Sequence, residues 1–153
     1  MKQDKFLLTI VIGIGVIALA VVALTLARRS TAYRTDETPE AIVHNYILAV
    51  QKKDYERAYA LLADQPNKPD LETFQSDLLM NNSDIQRYVF RLETVDESSS
   101  TALVRVVQTQ NSMIDSYRND ELARLTKTPD GWRLTQMPYP LWGWSWYQEP
   151  VKP

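Results

Sequence analysis

The sequence predicts an α+β protein in which one transmembrane helix precedes a single folded domain. Three patterns predict it: an uncharged run at residues 6–27, helical spacing of apolar side chains from residue 38, and alternating apolar side chains from Tyr88 onward. The chain has 153 residues, which leaves enough length after the apolar run for one compact core. Helices followed by a meandering antiparallel sheet are typical of the α+β class.

The apolar run at residues 6–27 is expected to form a membrane-spanning helix. A helix of this length spans about 33 Å, against a hydrocarbon layer of about 30 Å. A cleaved signal peptide has a shorter apolar region and ends in small residues, whereas this run ends at Leu26-Ala27 and is followed at once by Arg28-Arg29. The prediction is a retained single-pass anchor in the cell membrane, flanked by residues 1–5 and by a linker at residues 28–37.

The orientation of this anchor follows from the charges at its two ends and from its position in the chain. Two lysines precede it and three arginines follow it: Lys2, Lys5, Arg28, Arg29 and Arg34. These charges nearly balance under the positive-inside rule. Short N-terminal anchors usually keep the N-terminus in the cytoplasm, so the domain is expected to be extracytoplasmic. Small residues four apart, Thr9 with Gly13 and Ala23 with Ala27, would let a neighbouring helix pack closely.

The helices of the domain are expected to begin at local capping signals. Thr38 can cap the first free N–H groups, and Pro39 fits the first helical position. This helix is predicted to run to about Lys53. Asp54 begins a second, short helix, and Asp70 begins a third after a proline-bearing loop.

The sheet is expected to follow as four strands. Tyr88, Phe90 and Leu92 occupy every second position, and Arg87, Arg91 and Glu93 lie on the opposite face, which indicates a half-buried strand. The later strands are predicted at residues 102–109, 120–127 and 132–137, with a turn of suitable chemistry at TPDG between the last two.

The segments TPEAIVHNYILAVQKKDYERAYALL and ELARLTKTPDGWRL resemble the NTF2-like superfamily, in particular small extracytoplasmic domains of bacterial membrane anchors. The resemblance covers residues 38–137 and depends on the join at Asp54 to Tyr59 and on the hairpin ending at Gly131-Trp132-Arg133. It implies a curved sheet wrapped round a helix, with a cone-shaped pocket. The superfamily contains isomerases, dehydratases, polyketide cyclases and non-enzymatic adaptors, so the fold does not fix the function.

Catalytic chemistry has little support in the sequence. An NTF2-like enzyme commonly places an Asp or His with a Tyr partner in its cone, but the single histidine, His44, lies away from the apolar arc of its helix and is expected to face solvent. Asp115, Asp120 and Glu121 form an acidic group near a strand start and are the carboxylates that could reach a cavity. No metal-binding, phosphate-binding or nucleophile motif is present, so the sequence predicts no catalytic residue, cofactor or metal site.

The proline- and tryptophan-rich tail at residues 138–153 is the strongest candidate for partner binding. Its three tryptophans occupy every second position, which in an extended segment places all three indoles on one face. Such a row could pack on the protein's own sheet or form a docking stripe, because Trp and Tyr are enriched in interface hot spots. The candidate partner-binding residues are Tyr139, Trp142, Trp144, Trp146 and Tyr147.

The function predicted from these features is that of a non-enzymatic accessory or scaffold subunit in a multi-subunit membrane complex, for example an electron-transfer assembly. Its partners would be other membrane-protein subunits and the lipid bilayer, contacted through the anchor, the domain and the tail. A net charge of −2 argues against nucleic acid as a partner. The alternative is a membrane-tethered small-ligand-binding or isomerase/dehydratase-type domain with an open cone. In a third interpretation, the tail lies in the lipid interface.

Overall fold

A computed structural model of the protein describes residues 10, 14, 15, 32–81, 85–111 and 116–148. The chain divides into two compact units, Met1–Ala32 and Tyr33–Pro153, and the fold below is that of the second unit. No helix within the described ranges is long and apolar enough to cross a membrane. The predicted anchor lies almost entirely outside these ranges, as do both of its small-residue pairs, so they remain predictions.

The described part of the second unit contains three α-helices: α1 at Pro39–Gln51, α2 at Tyr55–Ala60 and α3 at Leu71–Asn81. Each begins where the sequence predicts, because a side-chain oxygen accepts a hydrogen bond from a free N–H of the first turn. Thr38 Oγ1 accepts from the Ala41 N–H at 3.2 Å, Asp54 Oδ1 from Arg57 at 3.3 Å, and Asp70 Oδ1 from Thr73 at 2.7 Å.

Within the described ranges, the sheet is a four-stranded antiparallel meander in the order β1-β2-β3-β4. Its strands are β1 at Tyr88–Glu97, β2 at Thr101–Asn111, β3 at Ser116–Thr128 and β4 at Gly131–Gln136. A single 3-10 turn at Ile85–Arg87 leads into β1. The α+β prediction is therefore confirmed, with helices packed on one antiparallel sheet.

One face of the sheet forms the floor of the core. On β2 the buried side chains alternate along the strand at Ala102, Val104 and Val106. Helix α1 packs across strands β1, β2 and β4. A main-chain link closes the far edge, since the Ala63 N–H donates to the Leu134 carbonyl at 2.8 Å.

The predicted linker contributes to the domain at its C-terminal end. The Arg34 N–H donates to Asn45 Oδ1 at 2.7 Å, and Asn45 Nδ2 donates back to the Arg34 carbonyl at 2.9 Å. The Tyr33 ring lies between two cations, with the Lys52 ammonium 4.7 Å and the Arg57 guanidinium 4.1 Å from its centroid. These contacts fasten the start of the unit to helices α1 and α2.

Candidate functional site

Residues 138–148 of the tail fold back onto the domain as a series of turns. The Leu141 N–H donates to the Pro138 carbonyl at 2.8 Å, and the Trp146 N–H donates to the Gly143 carbonyl at 3.2 Å. The extended segment expected from the sequence is therefore wrong for this region. Residues four apart across such turns lie on the same side, as they do on a helix.

Two of the three indoles consequently enter the core instead of forming an exposed row. Trp142 retains 8% of its accessible surface and Trp146 retains 4%. The Trp146 ring stacks on Phe74 with centroids 4.9 Å apart, and its Nε1 donates to Asp77 Oδ2 at 2.7 Å. Trp142 stacks on the half-buried Tyr147 ring at 5.6 Å.

Hydrogen bonds to the first half of the domain fix this folded tail. The buried Tyr46 hydroxyl donates to the Leu141 carbonyl at 2.7 Å, and the Tyr147 hydroxyl donates to the Ala63 carbonyl. The Tyr147 N–H donates to the Asn67 carbonyl at 3.0 Å. Burial raises the pKa of both tyrosines above the ordinary value, so both hydroxyls remain protonated donors at neutral pH.

Glycine is required at position 143 by close packing. A Cβ atom on Gly143 would overlap the Nε1, Cε2 and Cδ1 atoms of the Trp146 indole. Since the indole is held by Asp77 and Phe74, it has no room to move aside. The glycine three residues before Trp146 thus permits the tight turn that brings the indole against the backbone.

The remaining tryptophan points to solvent. Trp144 exposes 80% of its surface, although it lies between two buried indoles, and Tyr139 in the same segment exposes 64%. The Trp144 carbonyl accepts a hydrogen bond from Gln148 Nε2. Of the five predicted partner-binding residues, the structure places three in or against the core and leaves Trp144 and Tyr139 on the surface.

The predicted acid–base candidates do not form a common site among the described residues. Asp120 is exposed and pairs with Arg105 Nε at 3.4 Å, whereas Glu121 is half-buried and accepts a hydrogen bond from Asn119 Nδ2. Asp115 lies outside the described ranges. His44, expected at the surface, is half-buried on α1. In the described part of the chain, no group of three His, Cys, Asp or Glu side chains could hold a metal ion.

Sequence reasoning missed one buried polar residue. Gln108 on β2 is 4% exposed and continues the inward-facing series of Val104 and Val106. The sequence does indicate this residue, because Gln108 occupies an inward position in a strand whose other inward residues are apolar.

No protein-family model matches the sequence, and no curated protein does either. Among solved structures, the chain is similar to an NTF2-like protein of unknown function from Shewanella oneidensis, with 13% identity and a TM-score of 0.46 over 61% of this chain and 88% of that chain. It is also similar to the helical cell shape determining protein Pgp2 from Campylobacter jejuni, with 13% identity and a TM-score of 0.44 over 61% of this chain and 37% of that chain. Neither similarity transfers an activity or a ligand to this protein.

Proposed function

We propose that the protein is a single-pass membrane-anchored accessory subunit whose domain binds a partner protein through Trp144 and Tyr139. The observation that carries the proposal is the 80% exposure of Trp144 between two buried tryptophans. A large aromatic ring held in water by a folded segment is typical of an interaction site. The predicted helix at residues 6–27 would keep this ring at the membrane, among other membrane subunits.

The fixed conformation of the tail supports binding because it lowers the conformational entropy that is lost when a partner docks. A flexible tail would lose conformational freedom when it docks, and that loss weakens affinity. Here the hydrogen bonds of Tyr46 to Leu141 and of Trp146 to Asp77 already fix the segment. Trp144 is therefore displayed in a conformation that exists before the partner arrives.

The alternative, an isomerase-type domain, has less support in the described residues. That chemistry needs an acid or base in a protected site. Asp120 is exposed and ion-paired, and Glu121 is only half-buried. The interior also receives Trp142 and Trp146 from the tail, which occupy space beside Tyr46 and Phe74.

The proposal is tested by affinity purification of the full-length tagged protein from its native membranes in mild detergent. Wild type is compared with Trp144→Ala and with Leu122→Ala, a control on the outer face of the sheet that is 37% exposed. Loss of a hot-spot tryptophan costs about 2 kcal/mol or more of binding free energy, or roughly a 30-fold weaker complex. We expect Trp144→Ala to lose the co-purifying subunits and Leu122→Ala to retain them, with both melting close to wild type.

The proposal fails if wild type purifies without any other subunit, or if Trp144→Ala retains the same subunits in the same amounts. Truncation of residues 138–153 is a poorer test, since it also removes Trp142 and Trp146 from the core. If Trp144→Ala retains its subunits but binds vesicles of anionic lipid less well than Leu122→Ala, the ring contacts lipid instead of protein.

A further inference from the structure

Among the residues that the structure describes, Gln108 is the one buried side chain that is neither hydrophobic nor aromatic, at 4% exposure. Its carboxamide makes no side-chain hydrogen bond with any described residue, whereas the side chain of Gln51 donates to the carbonyls of Ile85 and Tyr88, each at 3.3 Å. A buried amide without a partner costs roughly 1–3 kcal/mol, and nearly all such groups are paired in native proteins. Within the described residues, its donor and its acceptor are therefore open to a bound water molecule or to a ligand.

The strand register identifies the immediate neighbours of this carboxamide. Phe90 on β1 and Asn119 on β3 lie directly opposite Gln108 on its two sides. Side chains paired in this way share a face of the sheet and have Cβ atoms about 4.5–5.5 Å apart. Both neighbours are half-buried, so the carboxamide lies just beneath a boundary with solvent.

The next register row adds a carboxylate and an apolar wall on the same face. Leu92, Val106 and Glu121 are opposite one another there. One oxygen of Glu121, Oε1, accepts a hydrogen bond from Asn119 Nδ2. No described residue donates to its second oxygen. Phe90 and Leu92 supply apolar surface on the same face of the sheet.

We propose that Gln108, Glu121 and Phe90 form a binding site for a small neutral ligand that carries a planar amide on an apolar or aromatic body. A carboxamide presents a donor and an acceptor in one plane, and an amide edge presents the same two groups in the matching order. A second N–H of the ligand would donate to Glu121. The Glu121 carboxylate would repel a ligand that carries a carboxylate in place of the amide. The site requires no chemical step and is separate from the docking function of Trp144.

Benzamide is the probe for this site, and benzoate is its matched control. The two molecules share a ring and a shape, but benzoate is anionic and lacks the N–H groups. Binding is measured on the full-length protein in detergent micelles from the shifts of the backbone amide signals of Phe90, Gln108 and Asn119. We expect saturable shifts with benzamide and none with benzoate at the same concentrations.

Two variants separate binding from stability. Gln108→Leu removes the unpaired amide while keeping similar volume, so it should weaken benzamide binding at least about 10-fold and melt at or above the wild-type temperature. Gln51→Leu loses two satisfied hydrogen bonds, so it should melt at a lower temperature while its folded fraction still binds benzamide.

Three results would overturn the proposal. The first is the absence of saturable benzamide binding to wild type, as expected if the carboxamide is paired only with a resident water. The second is benzamide binding that Gln108→Leu leaves unchanged. The third is a loss of melting temperature in Gln108→Leu as large as that in Gln51→Leu, which would show that the amide is already paired within the folded protein.

Discussion

The indole Nε1 of Trp146 donates a hydrogen bond to Asp77 Oδ2 at 2.7 Å, which joins the end of the described chain to helix α3. The same indole stacks on Phe74, one turn earlier on that helix, with ring centroids 4.9 Å apart. The tail is thus an integral part of the domain, and the exposed Trp144 is supported by this contact.

Replacing Trp146 with alanine should destabilise the whole domain. Truncation of a buried aromatic side chain costs about 3–5 kcal/mol, and here the Asp77 carboxylate would also lose its donor. The free energy of unfolding from urea titration measures this loss. Trp144→Ala is the matched control and should change stability by less than about 0.5 kcal/mol, because the side chain is 80% exposed. Equal losses in the two variants would contradict the packing described here.

Replacing Gly143 with alanine should displace the Trp146 ring. The new methyl group would occupy the position of the indole, and overpacking of this kind costs about 1–3 kcal/mol. A fall in melting temperature, together with a red shift of tryptophan fluorescence, would report it. Ser145→Ala, at an exposed position in the same turn, should show neither change. Wild-type fluorescence in Gly143→Ala would show that the turn tolerates a side chain.

Replacing Tyr46 with phenylalanine should leave the Leu141 carbonyl without its donor inside the core. The two atoms are 2.7 Å apart and buried, so losing the hydroxyl should cost about 1–3 kcal/mol. Chemical denaturation compares this variant with Tyr139→Phe, which alters an exposed hydroxyl and should be neutral. If the two variants unfold at the same denaturant concentration, the Tyr46 hydrogen bond does not stabilise the tail.

Asp36 should give the domain a pH-dependent contribution in the acid range. Hydrogen bonds from the Arg34 guanidinium, and then from the Thr38 hydroxyl, lower the pKa of Asp36 from 3.8 to about 2. Because the folded-state pKa lies below the unfolded value, the stabilisation is fully present above about pH 4 and is lost as the pH falls through about 2.

This assignment is checked by following the Asp36 side-chain carboxyl carbon by NMR through an acid titration. Arg34→Gln should move the midpoint from about 2 back toward 3.8, because both guanidinium hydrogen bonds to Asp36 are removed. A midpoint near 3.8 in wild type, or near 2 in Arg34→Gln, would be inconsistent with the Arg34–Asp36 pair.

The helix starts were predictable because capping is local. Thr38, Asp54 and Asp70 each bond to an N–H three residues later, so the signal and its effect fall within one turn. The sheet was less predictable in extent. Strand β3 begins at Ser116 instead of residue 120, because the pairing of Ser116 with Asn111 on β2 extends it. Pairing between strands cannot be predicted from the alternation of apolar residues within one strand.

The conformation of the tail differs from the predicted extended segment for a physical reason. A spacing of two suggests one row of indoles only if the backbone is extended, but the same letters also place Trp142 and Trp146 four residues apart, which suits a turn. The decision between these conformations depends on Asp77 and Tyr46, which lie far away in the sequence. The binding role assigned to the tail remains a prediction that now applies to Trp144 and Tyr139.

Contact between Trp144 and a partner subunit is best measured by crosslinking at that position. Trp144 is replaced with the photoreactive aromatic p-benzoylphenylalanine in the full-length protein in its native membrane, and Leu122 is replaced in the same way as a control on the outer face of the sheet. We expect irradiation to join the residue at 144 to one defined membrane subunit, and the residue at 122 to none. No crosslink from position 144, or the same products from both positions, would contradict the proposed docking site.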